Sequence, residues 1–199
     1  MLRQAFHSIR MDFGIFFTIK PSNCPGWEGT ENPQGSYDFT EYDFLFNSTT
    51  NITNYYILDY SNPFYDNGQS PYTPEGRAGM AAWAKAAVKH FKGKKILWEM
   101  YNEPNGAFWL PSVNVTAYSL MSNEVGKAIK TAAESEIFFG PATAGMDFAF
   151  IEGCFKMNTL DYWDAVSVHP YRRTDPEAVE TDYSTLRRCV LFIYVFVDM

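Results

Sequence analysis

Two rhythms of apolar residues alternate along most of the chain. Over residues 75–91 the positions Met80, Trp83, Ala84, Ala87, Val88 and Phe91 recur at three- and four-residue intervals, one face of an α-helix. Thr73-Pro-Glu suits its entrance, with Thr73 as cap and Pro74 at the first helical position. Lys89, Lys92, Lys94 and Lys95 suit its other end, where carbonyl dipoles favour cations. The same period returns over residues 114–133 through Tyr118, Met121, Val125, Ala128, Ile129 and Ala132. Residues 147–157 also predict a helix, as does a stretch that opens at Asp175-Pro-Glu and runs to about residue 188. Between these lie short apolar runs at 54–60, 95–101, 137–140 and 164–169, which predict strands. Residues 5–13 predict one more strand. A Gly-, Pro-, Ser- and Asn-rich stretch over 14–35 follows it, long for an ordinary loop. Residues 37–46 alternate aromatics with acids and read as a helix or an irregular aromatic corner.

Strands alternating with helices of this length imply βαβ units and a parallel sheet. Two architectures remain, a doubly wound open sheet and a (β/α)8 barrel. No Gly-x-Gly-x-x-Gly follows any strand, which counts against a nucleotide-binding sheet. Asp12, Asp59, Asn102, Glu103 and His169 all fall at strand C-termini, the ends that converge on one active face in a barrel.

Composition narrows the chemistry. The net charge is −7, and no cluster of Lys or Arg exceeds a pair, so neither nucleic acid nor an anionic membrane surface is an expected partner. Aromatics make up 18% of the chain; most belong in a core, but exposed Trp and Tyr faces match the C–H faces of sugars. Cys24, Cys154 and Cys189 have no metal-binding spacing, and no metal or cofactor is expected. Sequons at Asn47, Asn51 and Asn114 permit glycosylation on a secretory route, while residues 1–11 do not form a signal peptide; the compartment stays open, and a secreted full-length form is compatible with both. The longest apolar run, residues 190–197, is far short of the roughly 20 residues of a membrane span.

The segment Trp98-Glu-Met-Tyr-Asn-Glu-Pro-Asn105 carries the strongest chemical signal. It sends Glu103 off the end of an apolar strand beside the amide of Asn102, and Pro104 stops the strand there. Burial near Trp98, Tyr101 and Trp109 would favour the neutral acid, as a general acid working near neutrality requires. A merely solvated strand-end carboxylate is an equal alternative on these grounds. The segment resembles the signature at the end of the fourth barrel strand in clan A glycoside hydrolases, most closely family 39, with family 5 related. Ile57-Leu-Asp-Tyr-Ser-Asn-Pro63 resembles the third strand and its exit, Val166-Ser-Val-His-Pro-Tyr171 the sixth, and Phe6-His-Ser-Ile-Arg-Met-Asp-Phe13 the second. The resemblance implies an α/β fold of (β/α)8 barrel type with about strands 2 to 6 present, spanning residues 1–188, and a divergent hydrophobic tail over 189–199. It implies Glu103 as acid/base, Asn102 as a ligand for the sugar 2-hydroxyl, and Arg10 beneath the nucleophile. It places His169 and Tyr171 in the same subsite. Tyr60, Trp109 and Trp27 are candidate stacking platforms, with core packing the competing reading. The implied partner is a carbohydrate, and the chain is expected to act as a monomer.

One part of that machinery is missing from the sequence. Retaining enzymes need two carboxyls about 5–5.5 Å apart, and the nucleophile should leave the seventh strand. Residues 189–199 contain no Glu. Glu99 lies four residues before Glu103, about 13 Å away along an extended strand. Glu177 and Glu180 belong to the helix layer, and the family does not use Asp12 or Asp59 in this role. The chain therefore reads as truncated at both ends, lacking the first strand and the nucleophile, and is not expected to turn over alone. The tail could supply a seventh strand.

Overall fold

A computed structural model describes residues 26–49, 53–171, 173 and 175–197. Two short helices come first, α1 (Trp27–Thr30) and α2 (Thr40–Ser48). Four strands then alternate with helices: β1 (Tyr55–Leu58), α3 (Pro74–His90), β2 (Leu97–Met100), α4 (Val115–Ala132), β3 (Ile137–Ala144), α5 (Phe148–Lys156), β4 (Ala165–His169) and α6 (Val179–Val197). The strands form one parallel sheet in the order β1-β2-β3-β4, each paired with its neighbour in sequence. A doubly wound sheet reverses its strand order at a switch point; this sheet has no reversal, as expected of consecutive barrel strands. The strand predicted at residues 5–13 lies outside the described residues.

Local chemistry explains the helix boundaries. Thr73, Asn114 and Asp147 cap α3, α4 and α5 by accepting from the amides of Gly76, Ala117 and Phe150. Helix α3 packs on α4, α4 on α5 and α5 on α6, so the helices form one layer. Beneath it, the sheet face bearing Tyr56, Leu58, Trp98, Met100 and Phe138 is buried. The opposite face carries Tyr55, Ile57, Leu97, Glu99 and Phe139, the side that a closed barrel turns inward.

Gly126 shows how tightly the helix layer meets the sheet. A Cβ there would lie 2.5 Å from Tyr162 Cβ and 3.0 Å from the Phe138 ring. Gly126→Ala gains helix propensity worth about 1 kcal/mol, yet overpacking costs about 1–3 kcal/mol. A net loss of stability is expected, read as a lower thermal midpoint by circular dichroism; an unchanged or raised midpoint would show that this contact gives way.

The structure decides one open reading and departs from the sequence-based expectation at two elements. The aromatic segment at 37–46 resolves as helix α2, beginning at Thr40. Strand β3 runs on through Pro141 to Ala144, because a one-residue register shift at Ala142 absorbs the proline as a bulge. Residues 189–197 continue α6 rather than forming a seventh strand. Their β-branched content reads as strand, but no Gly or Pro interrupts residues 179–197, and the backbone stays helical across residue 188.

Candidate functional site

Glu103 reaches the C-terminal end of the sheet through a bent backbone. Beyond Met100 the chain leaves the strand, with φ of 62° at Tyr101 and 49° at Glu103, a region that residues other than Gly seldom occupy. Both turns are held: Tyr101 N donates to Leu58 O at 3.1 Å, and Glu103 N to Ala142 O at 3.0 Å. Ala142 is the bulged residue of β3, so the irregularity at Pro141 is what presents the carbonyl that anchors Glu103. Asn105 locks the following loop. Its Oδ1 accepts from Ala144 N at 2.8 Å, and its Nδ2 donates to Ala144 O and Asp147 Oδ2, each at 3.1 Å. Ser167 Oγ accepts from Ala142 N at 3.1 Å. Asn105, Asp147 and Ser167 were not singled out from sequence; only Asn105 carried a signal, as the last residue of the motif.

On the face of the sheet opposite the helices lies a cleft of about 470 Å³, lined in part by Tyr55, Glu99, Asn102, His169 and Tyr171. His169 joins it to Glu103: Nδ1 lies 3.1 Å from Glu103 Oε1, while Nε2 lies 3.5 Å from Glu99 Oε2. Glu99 beside the ring raises the His169 pKa above its ordinary value; burial opposes this, and Glu103 adds to the rise. The polar neighbour of Glu103 is thus an imidazole. The rings expected around it point elsewhere. Trp98 lies on the helix side and donates to Glu136 at 3.0 Å, and Tyr101 OH donates to Phe108 O at 3.0 Å.

Of the predicted site residues, Asn102, Glu103, His169 and Tyr171 gather at this end of the sheet. Asn102 Nδ2 donates to Tyr60 OH at 2.8 Å, which orients its amide. Tyr60 keeps its proton at working pH, since burial and the Asp59 charge push its pKa up to about 12. One face of the Tyr60 ring is stacked on Phe108 at 5.4 Å, and it is Phe108, unnoticed in the sequence, that is exposed there. Tyr171 is 77% exposed, its ring 6.2 Å from that of His169. Trp109 and Trp27 are corrections. Trp109 is 2% exposed between Tyr101 and Tyr118, and Trp27 is fully buried against Tyr65 and Trp83, so neither offers a face to a sugar. Arg10 lies outside the described residues.

A further correction concerns Glu99. Its spacing along the strand from Glu103 overstates the separation of the two side chains, because the backbone bends between them and one imidazole touches both. Glu99 is nonetheless fully buried, which no nucleophile meeting a sugar could be. Among the described residues there is no group of His, Cys, Asp and Glu suited to a metal ion, and no helix long and apolar enough to cross a membrane.

The structure superimposes on a family 39 glycoside hydrolase from the gut symbiont Bacteroides cellulosilyticus WH2 with a TM-score of 0.64 and 27% identity, over 76% of this chain and 32% of that one. The chain is family 39-like. A monomeric beta-xylosidase from Caulobacter crescentus CB15 shares the fold, with a TM-score of 0.63 and 22% identity over 78% of this chain and 38% of that one. In sequence, the chain is 28% identical over 109 residues to an endo-1,4-beta-xylanase D from Talaromyces funiculosus, covering 51% of this chain and 26% of that protein. No family model matches. The chain spans between 26% and 38% of the length of these relatives, and its sheet corresponds to part of a barrel.

Proposed function

We propose that this chain is part of a glycoside hydrolase that cleaves O-glycosidic bonds in β-linked oligo- or polysaccharides with retention. Glu103 is its general acid/base, and residues 1–199 do not supply the nucleophile. The observation that carries this reading is the placement of Glu103 at the C-terminal end of a parallel sheet, paired to His169 at 3.1 Å. In this reading Glu103 protonates the departing glycosidic oxygen and later takes a proton from the attacking water. Its Oε1 is occupied by His169, and Oε2 makes no hydrogen bond among the described residues, which leaves that oxygen to carry the transferable proton. Asn102, its amide fixed by Tyr60, binds a sugar hydroxyl, and Tyr171 offers an exposed aromatic face. Arg10 remains assigned to the subsite by resemblance alone.

The names of the relatives point to xylose-based sugars as the first to try. Titration calorimetry of the chain with xylo-oligosaccharides is expected to show binding that Asn102→Ala weakens by about three- to tenfold, the worth of one neutral hydrogen bond. No heat of binding to any β-linked oligosaccharide by the folded chain would overturn the reading. Binding without hydrolysis is equally what a non-catalytic carbohydrate-binding remnant would do, a second reading favoured by the lack of an accessible second carboxylate in the cleft.

A further inference from the structure

Four acidic residues are buried among the described residues, and they differ in how they are satisfied. Glu31 takes four donors, from the Trp27 indole, Asn62 at 2.9 Å, Tyr65 at 2.9 Å and the Gly35 amide at 2.7 Å. Glu136 takes the Trp98 indole at 3.0 Å and the Gly93 amide at 3.5 Å. The Asp59 carboxylate faces Tyr60. Glu99 is the least well satisfied of them: it is 0% exposed, neither oxygen has a well-aligned hydrogen bond among the described residues, and the polar groups that face it are the Tyr55 phenol and the His169 ring. A buried carboxylate in that condition is costly unless a cation stands beside it. Its one ion-pair partner among the described residues is His169 Nε2, at 3.5 Å.

We propose that Glu99 is a positioning residue of the Glu103 site, holding the His169 ring through Nε2 so that Nδ1 is aimed as a donor at Glu103 Oε1. This rests on the reading of Glu103 as acid/base only for its consequence, not for its geometry. A neutral imidazole has one N–H and one lone pair. Set between two carboxylates, it would point that lone pair at one of them; the imidazolium turns an N–H to each, donating to Glu103 and facing Glu99 as an ion pair. Glu99 therefore selects the doubly protonated ring and fixes its rotation about the sheet edge. The other titratable groups facing this pair are phenols. Tyr55 on β1 faces Glu99, and burial followed by that negative charge pushes its pKa far above its ordinary value. Tyr171 meets the edge of the His169 ring. Neither supplies a competing cation.

The chain has three histidines, His7, His90 and His169, so imidazole nitrogen resonances of ¹⁵N-labelled protein can be assigned with one His169→Gln variant. In the wild-type chain at pH 7 both ring nitrogens of His169 are expected to be protonated. Glu99→Gln is expected to lower the His169 titration midpoint by about one unit or more. A folded Glu99→Gln chain with an unmoved His169 midpoint would overturn the proposal. If that variant does not fold, the wild type decides alone: a ring carrying a single proton at pH 7 overturns it. Neither readout depends on catalysis or on sugar binding, so failure here is distinct from failure of the glycoside hydrolase reading.

Discussion

Trp98→Ala is expected to leave the chain without a cooperative fold. Trp98 is 1% exposed in the middle of β2, against the edges of Tyr56 at 5.8 Å and near Phe91 at 6.3 Å. Truncating a buried Trp to Ala typically costs about 3–5 kcal/mol, from lost transfer energy and the cavity left behind. A second cost follows, because the indole donates to the buried Glu136 at 3.0 Å, and its removal leaves that carboxylate oxygen without its donor. Whole domains are stable by only about 5–15 kcal/mol. Far-UV circular dichroism during urea titration should show a two-state transition for the wild type and a sloping baseline for Trp98→Ala. Trp98→Phe should fall between them, keeping much of the packing but not the hydrogen bond. A cooperative Trp98→Ala transition within about 1 kcal/mol of the wild type would show that the packing of Trp98 on Tyr56 and Phe91 is not what holds the sheet.

The same residue shows what could be read from the sequence and what could not. The segment from Trp98 to Asn105 was legible as a strand end carrying Glu103, and the helical periods on either side were legible because one face of each helix is buried. The Thr73 cap was legible for a local reason too: a side-chain oxygen three residues before an amide needs no tertiary information. What each aromatic does was not. Trp98, Tyr101 and Trp109 sit close to Glu103 in sequence and were expected around it. Side chains alternate between the faces of a strand, which turns Trp98 to the helix side, while Tyr101 and Trp109 lie beyond the end of β2 and are buried in the core. The Glu103–Glu99 relation failed in the opposite direction. Counting residues along an extended strand assumed a straight backbone, whereas Tyr101 and Glu103 both adopt positive φ, and His169, 66 positions away from Glu103, bridges the two acids. Neither the bend nor the bulge at Ala142 that supports it has a period or a motif. Strand β3 passing through Pro141 is a contact-dependent exception of the same kind.

No hydrolysis of an aryl β-xyloside above the uncatalysed rate is expected from the 199-residue chain, although it carries the acid/base candidate. Retention requires a second carboxylate about 5–5.5 Å from the first, free to attack the anomeric carbon. The described acids do not provide it. Glu31 is fixed by four donors, Asp59 is 3% exposed, and Glu99 lies beneath the His169 ring with no surface of its own. Glu177 and Glu180 sit beyond β4 at the start of the α6 segment, in the helix layer. The roughly 10²–10⁴-fold that a general acid typically contributes requires a displacement for it to assist, and a sugar with no carboxylate placed behind its anomeric carbon offers none. An unaided Glu103, in a cleft that places no nucleophile beneath the sugar, should therefore be undetectable against background. The assay compares the wild-type chain with Glu103→Gln over days of incubation with a fluorogenic xyloside, both purified as monomers. Equal release from the two is the expected outcome. Release that depends on Glu103 would mean that a carboxylate of this chain reaches the anomeric carbon after all. Glu99, already joined to Glu103 through one imidazole, would then be the first to test.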